Sequence, residues 1–97
     1  MEISSKQRAY LRRLAVNEPV ICHIGKADIT PALIKQVDDA LTARELIKCS
    51  LQRGATMTTQ QVLDELCQQT SAIPVAQIGR RCVLYRANPE KPGIRLP

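Results

Sequence analysis

Tryptophan and phenylalanine are absent from this 97-residue chain, and its only aromatic rings are Tyr10 and Tyr85. The commonest readers of single-stranded nucleic acid draw affinity from bases stacked on exposed rings, so this scarcity argues against that mode of recognition. Any nucleic-acid binding must lean on charge, backbone amides and shape. Histidine occurs once, as His23, so no Cys–His or Ser–His catalytic arrangement can be built without it. Neither a G-x-S-x-G elbow nor a P-loop is present, and acidic residues are nowhere clustered as a metal-dependent nuclease would need. An enzyme is therefore not expected, nor a cofactor or small-molecule substrate. The adjacent Asp38 and Asp39 point about 100° apart on a helix, which suits a solvated face better than acid–base work.

The four cysteines, Cys22, Cys49, Cys67 and Cys82, include no closely spaced pair. A zinc site usually shows one, so no metal is expected. Apolar runs fall short of the roughly 20 residues of a membrane span, and the N-terminus lacks the apolar core of a secretory signal. The expectation is a soluble cytoplasmic protein with no membrane partner, whose thiols stay reduced and pack as small hydrophobes.

What the chain does have is a 44% hydrophobic content and a net charge of +5. The first predicts one globular domain with one modest core. The second favours an anionic partner. Ser4 and Ser5 can cap a first helix reaching about Val16, with Ile3, Tyr10, Leu11 and Leu14 on one side at helical spacing. Lys6 and Arg13 flank this stripe, Arg8 and Arg12 are placed on the outer face, and no acid interrupts the cations. A solvated face normally mixes signs.

Asn17-Glu18-Pro19 breaks the helix before an apolar strand, Val20 to Ile24. Gly25-Lys26-Ala27-Asp28 follows, and Thr30-Pro31 opens the second helix as N-cap and first helical residue. A strand ending in glycine and lysine just before a helix N-terminus is a common phosphate-holding arrangement. Residues 44–51 read as a second strand, alternating Ile47, Cys49 and Leu51 against Leu46, Lys48 and Ser50. Residues 52–55 are a loop, and Thr58 with Gln61 forms a capping box for a third helix. Residues 73–78 and 82–86 read as strands joined by a hairpin turn at Gly79-Arg80. The last stretch, residues 87–97, is a Pro-rich tail expected to have little order.

The predicted fold is therefore α/β, a single domain of order α-β-α-β-α-β-β over residues 1–86 followed by the tail. Right-handed crossovers would give a mixed four-stranded sheet with a largely parallel core, the second and third helices on one face and the last strand antiparallel at its end. Crossovers return the chain in the same direction. The loop at Lys26 and the turn at Arg80 and Arg81 are thus expected on one rim of the sheet.

With these segments in place the chain resembles the CRM domain family, named for chloroplast RNA splicing and ribosome maturation, in its bacterial stand-alone form. The resemblance rests on SKQRAYLRRLA at 5–15, PVICHIGKADIT at 19–30, ALTARELIKCSL at 40–51 and AQIGRRCVLYR at 76–86. It implies an RNA-binding fold akin to the C-terminal domain of translation initiation factor three. For bacterial single-domain members it further implies association with precursors of the large ribosomal subunit. Carried onto this chain, the family's GxxG loop is residues 25–28 and its basic helix is residues 6–13. Where the family has a second glycine this chain has Asp28, whose carboxylate would repel a nearby phosphate unless it serves another purpose, such as capping the second helix. The resulting expectation is a monomeric rRNA-binding assembly factor that contacts the RNA backbone through Lys6, Arg8, Arg12, Arg13, Gly25, Lys26, Arg80 and Arg81. The rival expectation is a module docking on ribosomal proteins or another folded partner through an exposed Tyr10–Leu14 stripe.

Overall fold

Each helix begins at a side chain that satisfies its free amides. In the computed structural model, which describes residues 2–97, helix α1 is Ser5–Val16, α2 is Pro31–Arg44 and α3 is Thr59–Thr70. Met1, the first residue of the expected domain, lies outside the described residues. Ser4 Oγ accepts from Gln7 N at 3.1 Å while Gln7 Oε1 accepts from Ser4 N at 2.9 Å. Thr58 and Gln61 repeat this reciprocal box at α3, at 3.1 and 2.8 Å. Thr30 Oγ1 accepts from Leu33 N at 3.1 Å, and Pro31 takes the first position of α2, where no amide is needed. No helix among the described residues is long and apolar enough to cross a membrane.

The strands are β1 (Val20–Ile24), β2 (Leu46–Leu51), β3 (Ile73–Ile78) and β4 (Arg81–Tyr85), in the order β1-β2-β4-β3. The mixed four-stranded sheet is as expected, but its parallel core is only the β1–β2 pair. The hairpin strand β4 inserts between β2 and β3, antiparallel to both. Burial explains this placement. Cys82, Val83, Leu84 and Tyr85 are all 2% exposed or less, an apolar run that an interior strand can cover on both faces. β3 exposes Gln77 and Ile78 and carries Pro74, which cannot donate to a ladder and suits an edge. A second shift lies at the junction before β2. Helix α2 continues to Arg44, and Glu45, with φ of 65°, makes the break that the sequence reading placed within the strand.

The two faces of the sheet carry separate cores. On one, Cys22, Ile24, Ile47, Cys49, Leu51, Cys82 and Leu84 pack against Leu33, Val37 and Leu41 of α2 and Val62, Leu63 and Leu66 of α3. On the other, Leu46, Val75, Val83 and Tyr85 pack against Leu11 and Ala15 of α1. The first helix thus finds its cover on the face opposite its two companions. The tail closes the second core, since Ile94 and Leu96 pack against it and Gln7 Nε2 donates to Pro97 O at 3.1 Å. Where the sequence predicts little order for residues 87–97, the structure ties them down through Glu45, whose carboxylate accepts three tail amides.

Register lines up Cys22, Cys49 and Cys82 across three strands, all at most 1% exposed, and Cys67 approaches from α3. All four thiols are free. Hydrogen bonding with Cys22 and Cys82, together with burial, holds the Cys49 thiol far above its ordinary range, and burial pushes Cys67 up to about 12. The thiolate is the reactive form, so Cys49 and Cys67 are inert in the folded chain, while Cys22, whose thiol the Cys49 hydrogen bond pulls down, and Cys82 are shielded by burial at no more than 1% exposure. A chromogenic disulfide reagent is expected to label essentially no thiol in native protein and all four in guanidinium. Rapid labelling of Cys49 without denaturant would contradict this packing.

Candidate functional site

Because β1, β2 and β3 all run in one direction, their C-terminal ends share a rim, and backbone hydrogen bonds stitch that rim together. Gln52 N donates to Ile24 O at 2.8 Å, and Leu51 N donates to Arg80 O at 2.7 Å. Three connections therefore lie side by side: the β1–α2 loop with Lys26, the β2–α3 loop, and the β3–β4 turn with Arg80. With β2 between β1 and β4, Lys26 and Arg80 stand about two strand spacings, roughly 10 Å, apart at the backbone.

Asp28 is what organises the first loop. Asp28 N donates to Gly25 O at 2.9 Å, closing the turn, and the residue adopts a φ of 54°, a left-handed conformation that Asp tolerates better than most. Its carboxylate does not cap α2 but reaches across to the β2–α3 loop. Oδ1 accepts from Thr56 N at 2.9 Å and Met57 N at 3.4 Å, and Oδ2 accepts from the Thr56 hydroxyl. The Thr56 hydroxyl bond, reinforced by the two amides, holds the carboxyl below its usual range against the opposing effect of burial. The negative charge is thus engaged by the neighbouring loop, and the two loops are tied into one unit. Gly54, at φ of 96°, approaches until a Cβ placed there would lie 3.9 Å from Lys26 Cβ.

That second loop carries a cation absent from the sequence-based site, Arg53, which is exposed. The signal for it was legible in principle, because the loop follows a strand parallel to β1 and must emerge on the same rim. Arg80 and Arg81, neighbours in sequence, diverge. Arg80 sits in the turn on the rim, while Arg81 opens β4 opposite Ile78 on one side and Ser50 on the other. Ser50 in turn pairs with His23. The register makes His23, Ser50, Arg81 and Ile78 one transverse row on the α1 face.

The first-helix cations separate into two groups. Arg8 leaves the outer face assigned to it and instead donates to the carbonyls of Pro74 and, at 3.5 Å, Val75, so it braces α1 against the β3 edge. Lys6, Arg12 and Arg13 remain exposed, with the Arg13 guanidinium 6.0 Å from the Tyr10 ring centroid. The charge distribution is lopsided. The ion pairs among the described residues are Lys35–Asp39, Arg44–Glu18 and Arg86–Asp38, all away from the rim. Among the described residues, Lys6, Arg12, Arg13, Lys26, Arg53, Arg80 and Arg81 have no carboxylate within ion-pair distance, and the one acid in the rim connections is Asp28.

A basic, acid-poor rim with a glycine–lysine loop, set on this α-β-α-β-α-β-β sheet, defines a recognisable class. The chain belongs to the CRS1 / YhbY (CRM) domain family, whose profile matches residues 3–86. It is 34% identical to the Bacillus subtilis protein named Probable RNA-binding protein YqeI over 95 residues, 98% of this chain and 99% of that one. It is 30% identical over 95 residues to a Haemophilus influenzae protein named RNA-binding protein, covering 98% and 95% of the two chains. The solution structure of SAV1595 from Staphylococcus aureus superposes with a TM-score of 0.83 at 38% identity, over 99% of this chain and 100% of that one.

Proposed function

We propose that this protein binds RNA through its sugar–phosphate backbone, and that its RNA is rRNA of the precursor large ribosomal subunit, on which it acts as a cytoplasmic assembly factor. The observation that carries the RNA reading is the set of unpaired cations gathered on one rim and the adjoining α1 face, with the single rim carboxylate engaged internally. The names of its relatives support the same reading, and the resemblance to bacterial stand-alone CRM proteins supports the ribosomal one. Lys26, Arg53 and Arg80 grip phosphates from three adjacent connections, while Lys6, Arg12, Arg13 and Arg81 extend the field. The loop amides beside Gly25 add donors without sequence preference. Base-edge readers and stacking rings are scarce, so preference among sequences is slight.

The rival docking module loses its cue, because Leu11 is fully buried and Leu14 packs against the same core. Electrostatic binding predicts that log K falls linearly with log salt, with a slope of about −4 if five or so phosphates are neutralised. Filter-binding titrations over a range of salt check this, and a salt-insensitive affinity overturns the electrostatic reading. Crosslinking in cells followed by sequencing tests the ribosomal part. Reads concentrated on large-subunit rRNA are expected, and reads spread evenly over messenger RNA overturn it.

A further inference from the structure

Among the described residues, two large hydrophobic side chains remain exposed, Val16 at 71% and Ile78 at 54%. Exposed singly, such residues need no explanation. These two line the same groove, of about 330 Å³, between the outer side of α1 and the end of β3, and Arg12 and Arg13 line it with them. Register places Arg81 directly beside Ile78 on that face. The groove is therefore a small open apolar floor of Ala9, Val16 and Ile78 flanked by Arg12 and Arg13, with Arg81 next to it across the strand from Ile78, and α1 contributes no acid anywhere along its length.

We propose that this groove seats one unpaired nucleotide of the bound RNA, its base against Val16 and Ile78 and its flanking phosphates on Arg12, Arg13 and Arg81. The inference rests on the RNA reading above and narrows it to RNA that offers a single-stranded nucleotide beside a phosphate track. Three features choose this occupant. The charge is complementary to phosphate and unopposed. Arg80 in the rim turn is followed in the chain by Arg81, which pairs with the groove residue Ile78, so a backbone held at the rim loops is led over the turn onto this face. Its volume is at the low end of ligand sites, and two apolar side chains fall far short of the roughly 1,000 Å² that a stable protein interface covers. Stacking on aromatic rings is unavailable here, but the Arg12 guanidinium offers a planar face to a base. A base inside a duplex hides both its faces against its neighbours, so a continuous duplex leaves the groove empty.

The test uses fluorescence anisotropy at one moderate salt concentration, with a labelled blunt RNA duplex and the same duplex carrying short unpaired 5′ or 3′ extensions. Wild-type protein is expected to bind one extended form about tenfold more tightly than the blunt form. The variant Val16→Ser/Ile78→Ser is expected to lose that preference while keeping its affinity for the blunt duplex. Both positions are exposed, and a thermal melt checks that the variant is folded. Equal affinity of wild-type protein for blunt and extended duplexes overturns the groove assignment and leaves backbone binding standing. A preference that survives in the double variant also overturns it. Failure to bind any of these RNAs overturns the RNA reading itself.

Discussion

Replacing Glu45 with alanine is expected to cost about 2–3 kcal/mol and to lower the melting temperature by roughly 10 °C or more. The residue is 4% exposed, and its side chain is the point at which the tail is fastened. Oε2 accepts from Asn88 N at 2.7 Å, and Oε1 accepts from Gly93 N at 2.6 Å and Ile94 N at 2.9 Å. Its backbone carbonyl also accepts from Arg86 N at 2.8 Å. In the alanine variant the tail either keeps its place with unpaired amides or detaches to hydrate them. Detachment uncovers Ile94 and Leu96, which pack with Leu11, Val75 and Tyr85, so both routes are costly. Burial alone would push the Glu45 carboxyl up, but the three amide bonds outweigh it and hold the pKa below the usual carboxylate value. A depressed folded-state value means that the stabilisation is present above the unfolded pKa of about 4.3 and is lost as pH falls through the folded one. The stability gap between wild type and Glu45→Gln should therefore narrow in acid. Urea unfolding curves across pH measure both effects. Glu45→Gly separates backbone from side chain, because it relieves the φ of 65° while still removing the carboxylate. Glu45→Ala keeps the strained φ, so an alanine variant as stable as wild type would show that the carboxylate holds nothing.

The features readable in the sequence are those decided within a few residues. Thr58 and Gln61 announce a capping box by spacing alone, Thr30-Pro31 announces a helix start, and the alternation from Leu46 to Leu51 reports which side chains enter the core. Strand order is a long-range matter, because the same local pattern fits β4 at an edge or in the middle. Only the comparison of CVLY with the Pro-bearing IPVAQI tilts the choice. Glu45 was illegible for a similar reason. A glutamate after a helix looks like an exposed residue until three amides from more than forty positions later converge on it. Lys26 and Arg80 could be gathered on one rim from topology because strand direction survives the change of order, whereas Arg81 falls within β4 on the α1 face. Arg8 could not be removed from the outer face without knowing that the β3 edge runs past it.

Reversing Arg80 and Arg81 together to glutamate should weaken RNA binding roughly a hundredfold at low salt, about tenfold for each, and make the salt slope shallower by about two units. Arg80 loses a rim contact and Arg81 a contact on the α1 face, so the double change strikes where the two surfaces join. Asp28 is the informative contrast. If its charge repelled phosphate, then Asp28→Ala and Asp28→Gly would tighten binding. Because the carboxylate is instead engaged by Thr56 and Met57, both substitutions should loosen the pair of loops that present Lys26 and Arg53, and so weaken binding, though less than the arginine reversals. Asp28→Asn keeps an acceptor for the two amides and should stay near wild type. Hydrogen exchange supplies a readout independent of RNA, since the Thr56 and Met57 amides should lose protection in Asp28→Ala and keep it in Asp28→Asn. Tighter binding by Asp28→Ala with those amides still protected would restore the repulsion account and remove Asp28 as the brace of the rim.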